Sequence, residues 1–367
     1  MTFSGFRIAA NLSLPESRFK KSGPHRRIRG SLPRNRMSDP QRPDLLSLVP
    51  QELRAVLEQH FASRGQPGYR AGQVARWVYE GLARDFGEMT NLPLRERESL
   101  EEAFQLREPE EERTSVSRDR TVKHLWRLHD GHVVESVPTP TESRLTLCIS
   151  SQAGCAMGCT FCATGWGGFD RQLSAGEIVG QYRASRRWAE AHDYGPISNI
   201  VYMGMGEPLA NRRAVHPSLT ILNQGYDVGA RRITVSTVGV VPGIQELAVR
   251  PEQFRLALSL HAPTSDLRAE LIPLETRWPL PEVMEALRAF DEAGGRRITF
   301  EYTMIDGVND DPALAPGVAE LAREVGAHVN LIPFNPIPWQ EWGPSPQARI
   351  RAFSAILEDR GVPVTVR

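Results

Sequence analysis

Lysine is almost missing from this chain of 367 residues: Lys20, Lys21 and Lys123 are its three, and the other 41 of 44 basic residues are arginine. The skew reads first as genome composition and second as a preference for the bidentate contacts that guanidinium makes with phosphate. Net charge is missing too, since 44 acids balance 44 bases. The balance is uneven, because residues 1–36 carry nine bases against one acid and leave 35 bases and 43 acids for the rest. An acidic body gives no electrostatic case for nucleic acid by itself. No run of 18 apolar residues occurs, which excludes a membrane-spanning helix, and the short FRIAANLSL segment lacks the long apolar core of a signal peptide. A cytoplasmic protein without a membrane partner is expected. No unit of 20–50 residues recurs, which excludes a solenoid. What the chain does have, 40% hydrophobic and 7% aromatic residues, suffices for one large domain and a smaller one.

Cysteine is as scarce as lysine, yet all four cysteines fall within LCISSQAGCAMGCTFCATG, between Cys148 and Cys162. In a reducing compartment such crowding points to a metal or redox site and not to a disulfide framework. Cys155, Cys159 and Cys162 are spaced four and then three apart. Three thiolates at that spacing can hold three irons of a [4Fe–4S] cube and leave the fourth open to a substrate. A zinc site with Cys148 as fourth ligand competes, although structural zinc sites usually draw ligand pairs from separate hairpins or helix ends. Gly154 and Gly158 let the backbone wrap closely, and Phe161 supplies an aromatic wall.

The rest of the chain divides by pattern. Residues 1–40 form a basic, Pro- and Ser-rich stretch expected to be a disordered arm, or the product of a start upstream of a true one at Met37. Residues 41–108 show three- and four-residue apolar steps in LLSLVPQELRAVLEQHF and YRAGQVARWVYEGLARDF, which predict a small helical domain. Over 109–142, TVKHLWRL and HVVESV flank His129, Asp130 and Gly131 and predict a hairpin linker. From 143 to 367, RLTLCIS, NIVYMGMG, RRITVST, FRLALSL, RITFEYTM and HVNLIPF alternate with helical stretches. They predict an α/β fold, a partial (β/α)6 barrel of parallel strands. Ser174 and Glu177 form a capping-box pattern at the first helix after the cysteines, with Leu173 and Ile178 as its staple.

CAMGCTFC resembles the CxxxCxxC signature of the radical S-adenosylmethionine (SAM) superfamily, in which SAM chelates the open iron. TLCISSQAGCAMGCTFCATG, VYMGMGEPL, RRITVSTVGVVP, LALSLHAP and NLIPFNP, with YRAGQVARWVYEG upstream, narrow the resemblance to the RlmN/Cfr family of radical SAM RNA methyltransferases. It covers about Asp44 to Arg367 and implies a [4Fe–4S] cluster on Cys155, Cys159 and Cys162, SAM as cofactor, and an electron donor such as flavodoxin. Carried over, Gly206 and Glu207 match the pair that meets the SAM amino group, and Ser236, Ser259, Leu260, His261 and Asn335 match further SAM contacts near strand ends. The family methylates carbon 2 of an adenine in 23S rRNA, often a tRNA adenine as well, while Cfr-type relatives act on carbon 8. The implied route cleaves SAM reductively, passes a methylene from a C-terminal methyl-carrying cysteine to the base, and resolves the protein–RNA adduct with a second cysteine after a base removes a proton. Cys148 matches the resolving cysteine and Glu135 the base.

The resemblance also calls for a tail beyond VPVTVR that bears the carrier cysteine, and counting leaves no thiol for that role. The expectation for the 367 residues as written is therefore a protein that folds, binds the cluster and releases uncoupled 5′-deoxyadenosine without methylating adenine. Truncation and divergence both account for it. A different class of function stays open here: a methylation-deficient, cluster-bearing RNA-binding or assembly protein.

Overall fold

A computed structural model describes residues 42–294 and 297–367, so the expected arm over 1–40 lies outside the described residues. The N-terminal unit comprises α1 (Pro50–Ser63), α2 (Tyr69–Tyr79) and α3 (Leu94–Ala103). Leu53, Leu57 and Phe61 on α1 and Ala71, Val74 and Val78 on α2 are the periodic apolar positions, and they bury together with Leu100 and Phe104. The helical pattern of LLSLVPQELRAVLEQHF does not run through. Pro50 stands at the first turn of α1, where its missing N–H costs nothing, and the preceding Leu45–Ser47 is a separate 3-10 turn.

Next come β1 (Glu110–Val116), β2 (Val122–Arg127) and β3 (Val133–Pro140). The hairpin is there as β2 and β3, antiparallel with Leu125 opposite Glu135. It is more than a linker, because β3 pairs with β4 (Leu145–Cys148), placing Val137 opposite Cys148, so residues 110–140 extend the main sheet. The extra strand β1, EEERTSV, escapes a hydrophobic pattern because only its last residue is apolar and none of it is buried.

Beyond β4 lie a small ribbon of β5 (Gln152–Gly154) and β6 (Phe169–Gln172), with the one-turn helix α4 (Ala163–Trp166) between them. Then follow α5 (Ala175–Ala191), β7 (Ile197–Tyr202), α6 (Arg212–Thr220), β8 (Ile233–Thr237), α7 (Val241–Ala248), β9 (Arg255–Ser259), α8 (Ser265–Leu271) and α9 (Leu280–Glu292). The chain ends with β10 (Ile298–Met304), α10 (Ala315–Glu324), β11 (His328–Pro333), α11 (Gln347–Asp359) and β12 (Val364–Val366). The ten-stranded sheet runs β1-β2-β3-β4-β7-β8-β9-β10-β11-β12, and every neighbour pair from β4 onward is parallel.

Alternation fixes what each face of the barrel carries. Leu145, Leu147, Ile200, Ile233, Val235, Leu256, Leu258, Phe300 and Tyr302 point to the helices and join one core with residues of α5, α7, α9 and α10. The intervening positions, among them Thr146, Cys148, Ser236, Ser259, Thr299, Glu301 and Thr303, face the concave side and are mostly polar. By the same rule Glu135 and Val137 on β3 and Lys123 and Leu125 on β2 share that concave face, while Val134 and Ser136 turn inward toward the helices. Ser174 and Glu177 form the reciprocal cap of α5, at 3.1 and 2.9 Å.

A buried arginine ties the helical unit to the barrel. Arg183 on α5 pairs with Glu108 and donates to the carbonyls of Val78 and Ala83 and to Tyr226 Oη at 2.9 Å. The bonded donors of this fully buried guanidinium serve Glu108, the end of α2, Ala83 beyond it and Tyr226, so the charge is compensated and the helical unit is tied to the barrel.

Candidate active site at the concave face

The cysteine loop leaves β4 and is closed on itself by backbone contacts. Cys155 N–H donates to Gly168 carbonyl at 2.7 Å, and Cys162 N–H to Cys159 carbonyl at 3.1 Å. Gly154 permits the crossing with β6: its φ is +76°, and a Cβ there would stand 2.1 Å from Gly168 O. The far side of the loop is anchored on α8, where Thr160 N–H donates to Leu271 carbonyl at 3.0 Å. Cys159 packs in an apolar cluster with Ala262, Leu271, Ile272, Phe334 and Ile337, and Phe161 meets the His261 ring edge-on at 4.3 Å. The expected aromatic wall is thus shared with the end of β9.

Burial, and then the neighbouring thiols, push Cys155 up to about 11 and Cys159 higher still. A loop that gathers three cysteines beside an apolar wall offers a set of soft thiolate ligands to a cationic iron centre, and so the residues fit a [4Fe–4S] cluster. The zinc alternative fares worse, because Cys148 is set apart in β4. Its charged neighbour is Glu135, burial pushes its thiol up to about 12, and its sulfur lies against the Met203 N–H. Among the described residues no group of three His, Cys, Asp or Glu side chains is gathered to hold a single metal ion.

The remaining predicted residues lie along the strand ends that border this loop. Gly206 has φ +98°, and a Cβ there would sit 2.5 Å from Gln152 Cβ, so only glycine brings the chain this close to β5. Gln152 Oε1 accepts from Glu207 N–H at 2.8 Å. The Glu207 carboxylate is nearly inaccessible and accepts from Leu209 N–H and Val238 N–H, both at 2.9 Å. It therefore joins the ends of β7 and β8, with lone pairs to spare for an ammonium group. Burial raises it to about 7 despite these bonds. Ser236 stands opposite Ala257 and Ser259 opposite Glu301 in the parallel ladders, both half-buried on the concave side. Leu260 and His261 are buried. His261 adopts φ +56°, accepts on Nδ1 from Thr303 N–H at 2.9 Å, and is held down to about 3 by burial, hence neutral. Asn335 is half-buried just past β11.

Glu135 and Cys148 meet diagonally across the β3–β4 ladder, on the same concave face. Sequence reasoning missed three supports of the site. Gln152 buttresses Gly206 and Glu207. Arg268 on α8, fully buried, donates to the carbonyls of Leu260 at 3.2 Å and Val238, and pairs with Glu275. Lys123 contacts Glu135 Oε1 at 3.0 Å. A single lysine beyond residue 36, among so many arginines, was the available signal for the last; the first two gave none.

A parallel β/α half-barrel with a three-cysteine loop after its first strand defines a radical SAM protein, and residues 149–315 match the Radical SAM superfamily. Residues 44–106 match the ribosomal RNA large subunit methyltransferase N-terminal domain. The chain is 49% identical over 327 residues to a protein of Gemmatimonas aurantiaca named "Probable dual-specificity RNA methyltransferase RlmN", with 89% of each chain covered. A Synechococcus elongatus protein of the same name is 44% identical, covering 85% of this chain and 86% of its own. A crystal structure of a radical SAM methyltransferase from Sphaerobacter thermophilus superposes with a TM-score of 0.84 at 45% identity, over 89% of this chain and 95% of that one. The chain belongs to the RlmN family of radical SAM methyltransferases, enzymes whose cofactors are a [4Fe–4S] cluster and SAM. These relatives favour a methyltransferase over the assembly-protein alternative.

Proposed function

We propose that this protein methylates carbon 2 of an adenine in 23S rRNA, and of a tRNA adenine, with Cys155, Cys159 and Cys162 holding the cluster. The observation that carries the proposal is the pairing of Glu135 with Cys148 on the concave face, next to the cysteine loop and away from it in role. The bound cofactors supply reductive cleavage of SAM, which an unreactive aromatic carbon requires. Gly206 and Glu207 receive the SAM amino group, and Ser236, the Ser259–His261 segment and Asn335 line the rest of its site. Leu260 and the neutral ring of His261 lend that site apolar, water-excluding surface.

Glu135 takes the proton from carbon 2 of the adduct. The Cys148 thiolate then attacks the carrier sulfur: an S–S bond forms, the S–CH2 bond breaks, and its electron pair stays on carbon, which takes up a proton as the new methyl group. On these assignments, with three cysteines on the cluster and Cys148 resolving, the carrier sulfur is none of the four cysteines of the sequence. Electrons come from a flavodoxin-type donor, and the setting is the cytoplasm; no described helix is long and apolar enough to cross a membrane.

Mass spectrometry of 23S rRNA and tRNA from the native host and a deletion strain tests the reading. Loss of 2-methyladenosine on deletion is expected. Loss of 8-methyladenosine instead would reassign the carbon, and unchanged RNA would refute the function. Reductive cleavage of SAM is a separate check, since a reconstituted, reduced protein that yields no 5′-deoxyadenosine is not a radical SAM enzyme.

A further inference from the structure

Three adjacent strands bring Lys123, Glu135 and Cys148 together on the concave face, with Lys123 and Cys148 level with Val137 on either side of β3 and Glu135 two residues along that strand. Leu125 stands opposite Glu135, which sets Lys123 opposite Val137, and Val137 stands opposite Cys148. Lys123 Nζ lies 3.0 Å from Glu135 Oε1, and both side chains are 27% exposed, so the pair is partly withdrawn from water. The Glu135 backbone is fixed as well, its carbonyl accepting from Ser150 Oγ at 2.7 Å. Among the described residues, the titratable groups that face Glu135 are Lys123 from β2 and Cys148 from β4.

We propose that Lys123 is a positioning residue for the reaction: it pins Glu135 Oε1 and leaves the other carboxylate oxygen to accept the proton of the adduct. The chemistry of the residue type supports the assignment. An ammonium is a compact point charge that can engage one oxygen, whereas a guanidinium fork tends to take both and would occupy the lone pair the proton needs. In a chain with 41 arginines and three lysines, lysine stands where a single-point contact is required. The inference rests on the reading of Glu135 as the base. It adds to that reading a cause for the carboxylate's aim, which a bare strand position would leave to rotamer chance. Lys123 acts through its contact with Glu135, so its effect is expected in adduct resolution.

The test places Lys123→Met, Lys123→Gln, Glu135→Gln and the double variant K123M/E135Q in the native gene. Three quantities are read: 2-methyladenosine in RNA, covalent protein–RNA adduct, and 5′-deoxyadenosine from the purified protein. K123M is expected to lower methylation by about 10- to 100-fold, as displacement of a reacting group does, and to accumulate adduct while 5′-deoxyadenosine formation holds. The double variant should be no worse than E135Q, because Lys123 acts through Glu135. A folding defect moves adduct and 5′-deoxyadenosine down together; if K123M shows that pattern, K123Q carries the comparison. Adduct in E135Q but parental methylation in the Lys123 variant overturns the inference alone. No adduct in E135Q overturns the base reading beneath it.

Discussion

Replacing Arg268 with methionine separates what holds the SAM-facing strand ends from what binds SAM. The guanidinium is inaccessible, pairs with Glu275, and donates to carbonyls at the ends of β8 and β9, including Val238 and Leu260. Methionine fills much of the volume but leaves Glu275 as a buried carboxylate with one remaining bond, from Leu280 N–H at 2.6 Å. Removing one partner of a buried ion pair costs about 3–5 kcal/mol, most of it the uncompensated charge. In the double variant R268M/E275Q the residue at 275 is a neutral amide that can keep an oxygen on the Leu280 N–H, and about 1–3 kcal/mol should return. Urea unfolding of the cluster-free, reduced protein, followed by circular dichroism, gives both numbers. A cost below about 1 kcal/mol for R268M, or a double variant less stable than the single by more than that, would refute the account of Arg268 as the compensated lock of this face.

Other consequences are open to direct measurement. Cys159→Ser should purify without iron and sulfide, while Cys148→Ser should retain both and fail only in adduct resolution; loss of iron from Cys148→Ser would return that thiol to the metal site. Gly206→Ala should abolish SAM binding measured by calorimetry with little change in unfolding midpoint elsewhere, since a side chain at φ +98° collides with Gln152. Burial holds His124 down to about 4 and His261 down to about 3, from an ordinary 6.5. Between pH 6.5 and 4 the unfolded chain binds protons that the folded chain refuses, so stability is full above pH 6.5 and falls on acidification. His124→Leu should flatten that fall by up to about 1.4 kcal/mol per pH unit, one proton's share, in denaturation curves taken across the window.

Six of the seven parallel strands, β4 and β7 to β11, were readable because each is a short run with β-branched and apolar residues beside a helical period, and the α5 cap because its box lies within four residues. Strand β1 was not, since its charged residues form an exposed edge that buries nothing. The cysteine spacing pointed to a metal or redox loop and left iron–sulfur and zinc both open. The neighbourhood of Glu135 and Cys148 did not follow from spacing, because a register between strands thirteen positions apart is set by pairing and not by local pattern. Arg183 and Arg268 were silent for a related reason: a buried arginine is recognisable only through its partners, and theirs lie up to 105 positions away. The carboxylate of Glu207 likewise spends two bonds on backbone that its motif does not contain.

Pairing of β3 with β4 decides how large an object the enzyme can admit. A barrel closes when its last parallel strand finds a free edge on its first. Here β4 has none: β7 occupies one edge and β3 the other, and β12 is bonded to β11 alone. The seam between β12 and β4 is therefore kept unzipped by hydrogen bonds already made elsewhere, and no breathing motion is needed to part it. On the proposed function, one base of a folded polynucleotide would come to the concave face through that gap in the sheet, whose β3 side carries Glu135.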